Sequence, residues 1–103
     1  MRLPLVPEAA EELRQTVAWY ERERVGYGAL FFEEVRAKVD QAARFPRSGV
    51  PVHNIKATWE TRCFNLARFP YTVVTAIIDG HHAVAAVAHQ HREPGYWTKR
   101  LGK

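Results

Sequence analysis

Apolar positions fall into four blocks with different periods. Residues 2–6 are short and apolar, compatible with a first edge strand. Pro7 suits the first turn of a helix, and Glu8, Glu11 and Glu12 favour the positive end of its dipole. Ala10, Leu13, Val17 and Tyr20 then repeat at helical spacing and make one apolar stripe, flanked by Trp19. Gly26 and Gly28 interrupt the pattern and permit a reversal. A second helix is expected from about Ala29, with Phe31 or Phe32, Val35, Val39 and Ala42 facing one way, until Phe45-Pro46 ends it. Two amphipathic helices with a short connection predict an antiparallel helical hairpin.

The period changes after that. Residues 47–57, RSGVPVHNIKA, show no clean repeat and carry turn formers throughout, so a loop is expected. Residues 58–66 are rich in β-formers, and 69–78, FPYTVVTAII, read as a strand. Pro70 must sit at the start of that strand or at an edge, because it has no N–H for the ladder. Asp79-Gly80 is a hairpin signal, with the returning strand over 83–89. The predicted order is β-α-α-β-β-β, an α+β fold with a helical hairpin packed on one face of a small antiparallel sheet.

Composition narrows the class. With 103 residues, 47% hydrophobic and 25% charged, the chain is expected to form one ordinary globular domain over its whole length. No run approaches the ~20 apolar residues that cross a bilayer. The amino terminus turns acidic too early for the apolar stretch of a signal peptide. Cys63 is the only cysteine, so no internal disulfide is expected, and a reducing cytoplasm is the natural home.

Charge is distributed unevenly. Up to Phe45 seven Lys and Arg stand against eight Asp and Glu, net −1; from Pro46 onward eight stand against three, net +5. The second half therefore points to an anionic partner, nucleic acid or an acidic protein segment. Its chemistry concentrates in HQHREPGYWTKR, which begins at His89. Arg62, Arg68, Arg92, Lys99 and Arg100 lie on the last strands or the tail after them, with Tyr96 and Trp97 interleaved. Guanidinium groups grip phosphate or carboxylate in two places, and aromatic rings can stack on bases. The bland alternative is a solvated sheet face whose arginines pair with Glu60, Asp79 or Glu93. Trp97 is assigned to the core, because a large aromatic is the usual closure of a small sheet.

Other chemistries find less support. His89 and His91 share a face if the strand continues, but His81 and His82 at the turn lie roughly 20 Å away at strand rise, and His53 is in the loop. Three or four converging ligands are not in prospect, so no metal or cofactor is expected. Cys63 reads as a packed apolar residue. No glycine-rich phosphate loop, GxSxG elbow or paired carboxylate motif occurs, and nothing in their spacing brings Glu60 and Glu93 together.

Several blocks taken together resemble a known family. WYE (Trp19 to Glu21), FFEEV (Phe31 to Val35), FPR (Phe45 to Arg47), RFPYTVV (Arg68 to Val74) and above all AVAHQHREPGYW (Ala86 to Trp97) are similar to the RelE/ParE toxins of bacterial type II toxin–antitoxin modules. The resemblance implies two helices on a small antiparallel sheet and a toxin held inactive by a cognate antitoxin. RelE-like members cut mRNA on the ribosome with cations and a late tyrosine; ParE-like members, the plasmid-stabilisation type, block DNA gyrase. If this chain were a ribonuclease, Arg62, Arg92 and Tyr96 would fall at catalytic positions. Lys56, however, is alone between Arg47 and Glu60, where RelE-like members are lysine-rich. The FPY strand and the H-x-x-R-x-P-x-x-W ending look more like the ParE side. The resemblance thus implies a target face of Arg62, Arg68, His89, Arg92, Tyr96, Lys99 and Arg100. The implied partners are an antitoxin and gyrase, with ribosome and mRNA as the alternative and no membrane. A non-toxic nucleic-acid-binding module would use the same basic face.

Overall fold

The computed structural model describes residues 3–52, 59–93 and 95–101. Helix α1 spans Pro7–Glu23 and α2 spans Tyr27–Arg44. They are followed by a sheet of β1 (Val50–Pro51), β2 (Glu60–Asn65), β3 (Tyr71–Ile78) and β4 (His81–His89). The strands lie in the order β1-β2-β3-β4, and every neighbouring pair is antiparallel. Single 3-10 turns, Pro46–Ser48 and Thr98–Leu101, follow α2 and close the tail. The α+β class, with a helical hairpin on a small antiparallel sheet, is as the pattern predicts.

The differences have local causes. The expected first strand reduces to a single parallel bridge between Leu5 and Val84, because Pro7 starts α1 two residues later. Ala9, not Ala10, is buried on α1, so the inward stripe starts one position earlier and continues through Leu13, Val17 and Tyr20. Of the two adjacent phenylalanines, Phe31 is fully buried and Phe32 is exposed.

The loop expected over 47–57 holds a short turn and strand β1. There Val50 opposes Cys63 and Pro51 opposes Arg62. Two residues are too few for a periodic signal. Residues 53–58, including His53 and Lys56, lie outside the described residues.

The reversal between the helices is built by both glycines and one carboxylate. Gly26 has φ of 94°, a left-handed conformation that side chains disfavour. Gly28 lies inside α2, where a Cβ would stand 2.7 Å from the Val17 carbonyl oxygen. Its hydrogen thus lets α2 approach α1, and the helix starts before the position expected from Gly28 as a breaker. Glu21 of α1 accepts hydrogen bonds from the Gly26 and Gly28 N–H groups at 3.0 to 3.1 Å, capping the orphan donors of α2. At the β3–β4 turn, Asp79 and Gly80 both have positive φ, 52° and 80°, the geometry of a two-residue hairpin turn whose twist suits the strands.

Both faces of the sheet are covered. On one, Phe31, Val35 and Ala42 of α2 and Ala9 of α1 pack on Phe64, Val73, Val84 and Val87. On the other, Trp59 and Trp97 cover Val74, Ala85, Ala86 and Ala88. This explains why FPYTVVTAII lacks strict alternation: residues 72–76 and 84–88 are all buried. Trp97, 3% exposed, is the large ring that closes the second face, as its aromatic character suggests. Trp97→Ala should therefore cost about 3–5 kcal/mol. That is a large part of the roughly 5–15 kcal/mol that holds a domain folded, and urea unfolding monitored by far-ultraviolet circular dichroism measures it.

Candidate functional site

The basic end of the molecule is organised by an acidic residue of the first helix. Glu12 lies three residues beyond the buried Ala9, on the inward side of α1, and its carboxylate reaches the outer edge of β4. Oε1 accepts from the Val87 N–H at 3.0 Å and from Arg100 Nη1 at 2.8 Å. Oε2 accepts from Arg100 Nη2 at 2.7 Å and from the Tyr96 hydroxyl at 2.5 Å. Both oxygens are thus doubly satisfied, filling the acceptor capacity of a carboxylate. Burial raises the Glu12 pKa, but the hydrogen bonds from Arg100, Tyr96 and Val87 and the Arg100 charge outweigh it and hold the carboxyl below its ordinary value. The Tyr96 phenol is pushed up to about 12 by burial and by its bond to Glu12.

Arg92 completes this corner. Its guanidinium lies over the Tyr96 ring, 3.8 Å from the centroid, while the side chain stays exposed. Arg100 approaches the same ring at 4.9 Å. Beside them His89 packs edge-on against Tyr71 with centroids 5.2 Å apart, and its Nδ1 accepts the His91 N–H at 3.1 Å. Three depressions meet at His89. One of about 790 Å³ runs along Trp19, Arg22 and Tyr71; one of about 190 Å³ lies between Glu12 and Arg92; one of about 140 Å³ lies between Cys63 and Trp97.

The seven residues expected to form a target face are therefore not equivalent. Arg92 and Lys99 are exposed, and among the described residues neither has an ion-pair partner. His89 and Tyr96 are half-buried beside Arg92. Arg100, expected to face a partner, is turned inward: beyond its two hydrogen bonds to Glu12 it donates to the Ala85 carbonyl at 3.2 Å.

Arg62 is also internal. Its Nη1 donates to the Arg47 and Gly49 carbonyls at 3.0 and 2.9 Å, tying the turn after α2 to β2. Its Nε lies 3.5 Å from Glu60 and makes no hydrogen bond there, so this contact is Coulombic only. Arg68 is exposed on the turn before β3, 3.5 Å from Glu34. That glutamate also accepts from the Ala67 and Arg68 N–H groups. Arg62, Arg68 and the Arg92–Tyr96 corner occupy three separate places.

Burial pushes the Cys63 thiol up, so the thiolate is disfavoured. Among the described residues no three His, Cys, Asp or Glu converge to hold a metal ion. No helix among them is long and apolar enough to cross a membrane. Glu12 was missing from the sequence-based set, where it counted only towards the helix dipole. Its signal was its place on the buried face of α1, an acid where an apolar residue is the norm.

A family model described as the ParE toxin of the type II toxin–antitoxin system, parDE, matches residues 5–94. The chain belongs to this family, and the protein is a type II toxin–antitoxin toxin whose class implies an antitoxin partner. No curated protein matches the chain. The match ends before Tyr96, Trp97 and Arg100, so the tail bound by Glu12 lies beyond the matched span.

Two measurements check these assignments. Arg62→Ala removes two charged hydrogen bonds to backbone carbonyls and should destabilise the fold by roughly 2 kcal/mol. Arg92→Ala, at an exposed position, should shift it by no more than about 0.5 kcal/mol in the same melts. The second concerns pH. Because the folded pKa of Glu12 lies below its ordinary value of 4.5, its stabilisation is fully present above that value and is lost as the pH falls below it and through the lower folded value. Glu12→Gln should melt at a lower temperature than the parent at neutral pH, with the gap closing as the pH falls below 4.5. A gap that stays constant with pH would show that the carboxylate charge is not what holds the tail.

Proposed function

We propose that this toxin acts on DNA gyrase rather than by cutting mRNA, and that its cognate antitoxin neutralises it. The observation that carries this reading is the internal commitment of Arg62 and Tyr96. Cleavage of RNA needs free cations to stabilise charge at the phosphate and a side chain able to take or give a proton. Arg62 is bonded to two carbonyls, and the Tyr96 hydroxyl is held by a carboxylate with its proton bound up to about pH 12. Arg92 alone of the three is exposed, which suits a contact residue better than a catalytic set.

A protein partner is further favoured by an apolar hollow of about 490 Å³ lined by Leu5, Leu13, Phe32 and Val39. The net +5 of the second half offers an acidic antitoxin segment a complementary surface. The reading places the activity in the cytoplasm, where gyrase works.

Purified toxin should inhibit gyrase supercoiling or trap cleaved DNA, and leave ribosome-bound mRNA intact. Arg92→Ala should weaken that inhibition by at least about tenfold, a loss of roughly 1.4 kcal/mol in contact energy, without lowering the melting temperature. Induction in a bacterium should arrest growth, and co-expression of the adjacent antitoxin gene should restore it. Ribosome-dependent cuts in mRNA with gyrase unaffected would overturn the assignment.

A further inference from the structure

Strand β4 ends the sheet, so one row of its N–H and C=O groups points away from β3. Such a row is a template for another strand. Here it is covered by two different devices. At Val84 the N-terminal segment supplies backbone: the Val84 N–H donates to the Pro4 carbonyl at 2.8 Å, and the Val6 N–H donates to the Val84 carbonyl at 3.0 Å. Pro7 then turns the chain into α1, and that segment can follow β4 no further. The register of β4 against β3 skips Ala85 at this point, since Val74 opposes Ala86 and Thr75 opposes Val84. Beyond the skip, the Ala85 carbonyl is met by Arg100 and the Val87 N–H by Glu12. A donor and an acceptor from one ion pair thereby take the places that a neighbouring strand's backbone would fill.

We propose that Glu12 and Arg100 form a latch that closes the edge of β4, and that once the latch is open β4 pairs with β4 of a second copy of this chain. Three observations select that occupant. Antiparallel pairing of a strand with its own copy is self-complementary about a two-fold axis, so no other sequence is required. The part of β4 beyond Val84, AAVAH, contains no lysine, glutamate or proline, the residues that ordinarily protect an exposed edge. The opposite edge, β1, has only two residues and ends in Pro51, so it offers no comparable template. The latch also carries the tail, since Glu12 holds Tyr96 as well as Arg100. Opening it therefore loosens the segment that brings Trp97 over the second face of the sheet. This inference stands independently of the gyrase reading.

The test uses the full chain with Glu12→Ala and Arg100→Gln, which open the latch from opposite sides. Hydrogen exchange followed by NMR reads the edge, and sedimentation equilibrium reads the assembly. In dilute samples of Glu12→Ala the Val87 amide, which loses its acceptor, should exchange at least about tenfold faster than in the parent, while the α2 amides of Phe31 and Val35 remain protected. With rising concentration the variants should dimerise and the Val87 amide should become protected again, the parent remaining monomeric. Unchanged exchange at Val87 in Glu12→Ala, or variants that stay monomeric, would overturn the proposal. So would dimers in which β4 is not re-protected, or loss of α2 protection in both variants, which would make the pair a requirement of folding and not a latch.

Discussion

The carboxylate of Glu12 is the constraint on which the basic end of this toxin depends. It joins three parts distant in sequence: the first helix, the edge of the last strand, and the tail after it. Four donors converge on two oxygens, so neither the charge nor the lone pairs are left uncompensated where water is partly excluded. Removing one partner of such a group costs more than the pair itself contributes, because the other is stranded. The position of Arg92 follows from this: its guanidinium lies on a ring that Glu12 holds by the hydroxyl.

Glu12 is one of three carboxylates used in the same way. Glu21 caps the start of α2, and Glu34 accepts from the turn before β3. Each comes from the helical half, and each accepts backbone N–H groups that the secondary structure leaves open. The acidic balance of that half therefore serves the fold, while several cations of the second half keep their charge on the surface. A net-charge count treats Glu12 and the exposed, arginine-paired Glu33 alike. The distinction lies in which face of the helix carries them.

The helices, the three longer strands and the Asp79-Gly80 turn were readable in the sequence because each rests on local physics: stripe period, proline, or a two-residue turn signal. What was not readable depends on contacts across the chain. Strand β1 exists because β2 offers it partners, and the approach of α2 at Gly28 exists because the Val17 carbonyl is there. The candidate site divided along the same line. Arg62, Arg92 and Arg100 are indistinguishable as letters, all basic, all on the last strands or tail. Only the neighbours separate them: two carbonyls for the first, an aromatic face for the second, a carboxylate for the third.

That separation bears on how one scaffold serves different targets. A site that cuts RNA must keep several cations and a proton-transferring group available at once, each desolvated yet unbonded until substrate arrives. Here two of those positions, Arg62 and Tyr96, are bonded within the structure, and the gain is a tied turn and an ordered tail. At the corner that Glu12 holds, the surface left over is the exposed Arg92 guanidinium on a rigid aromatic support, with His89 alongside. A rigid, singly charged contact of this kind is suited to holding a partner, because little conformational entropy is lost when it docks. Catalytic demand and structural demand compete for the same few side chains, and in this chain the bonds of Glu12 and Arg62 assign most of them to structure.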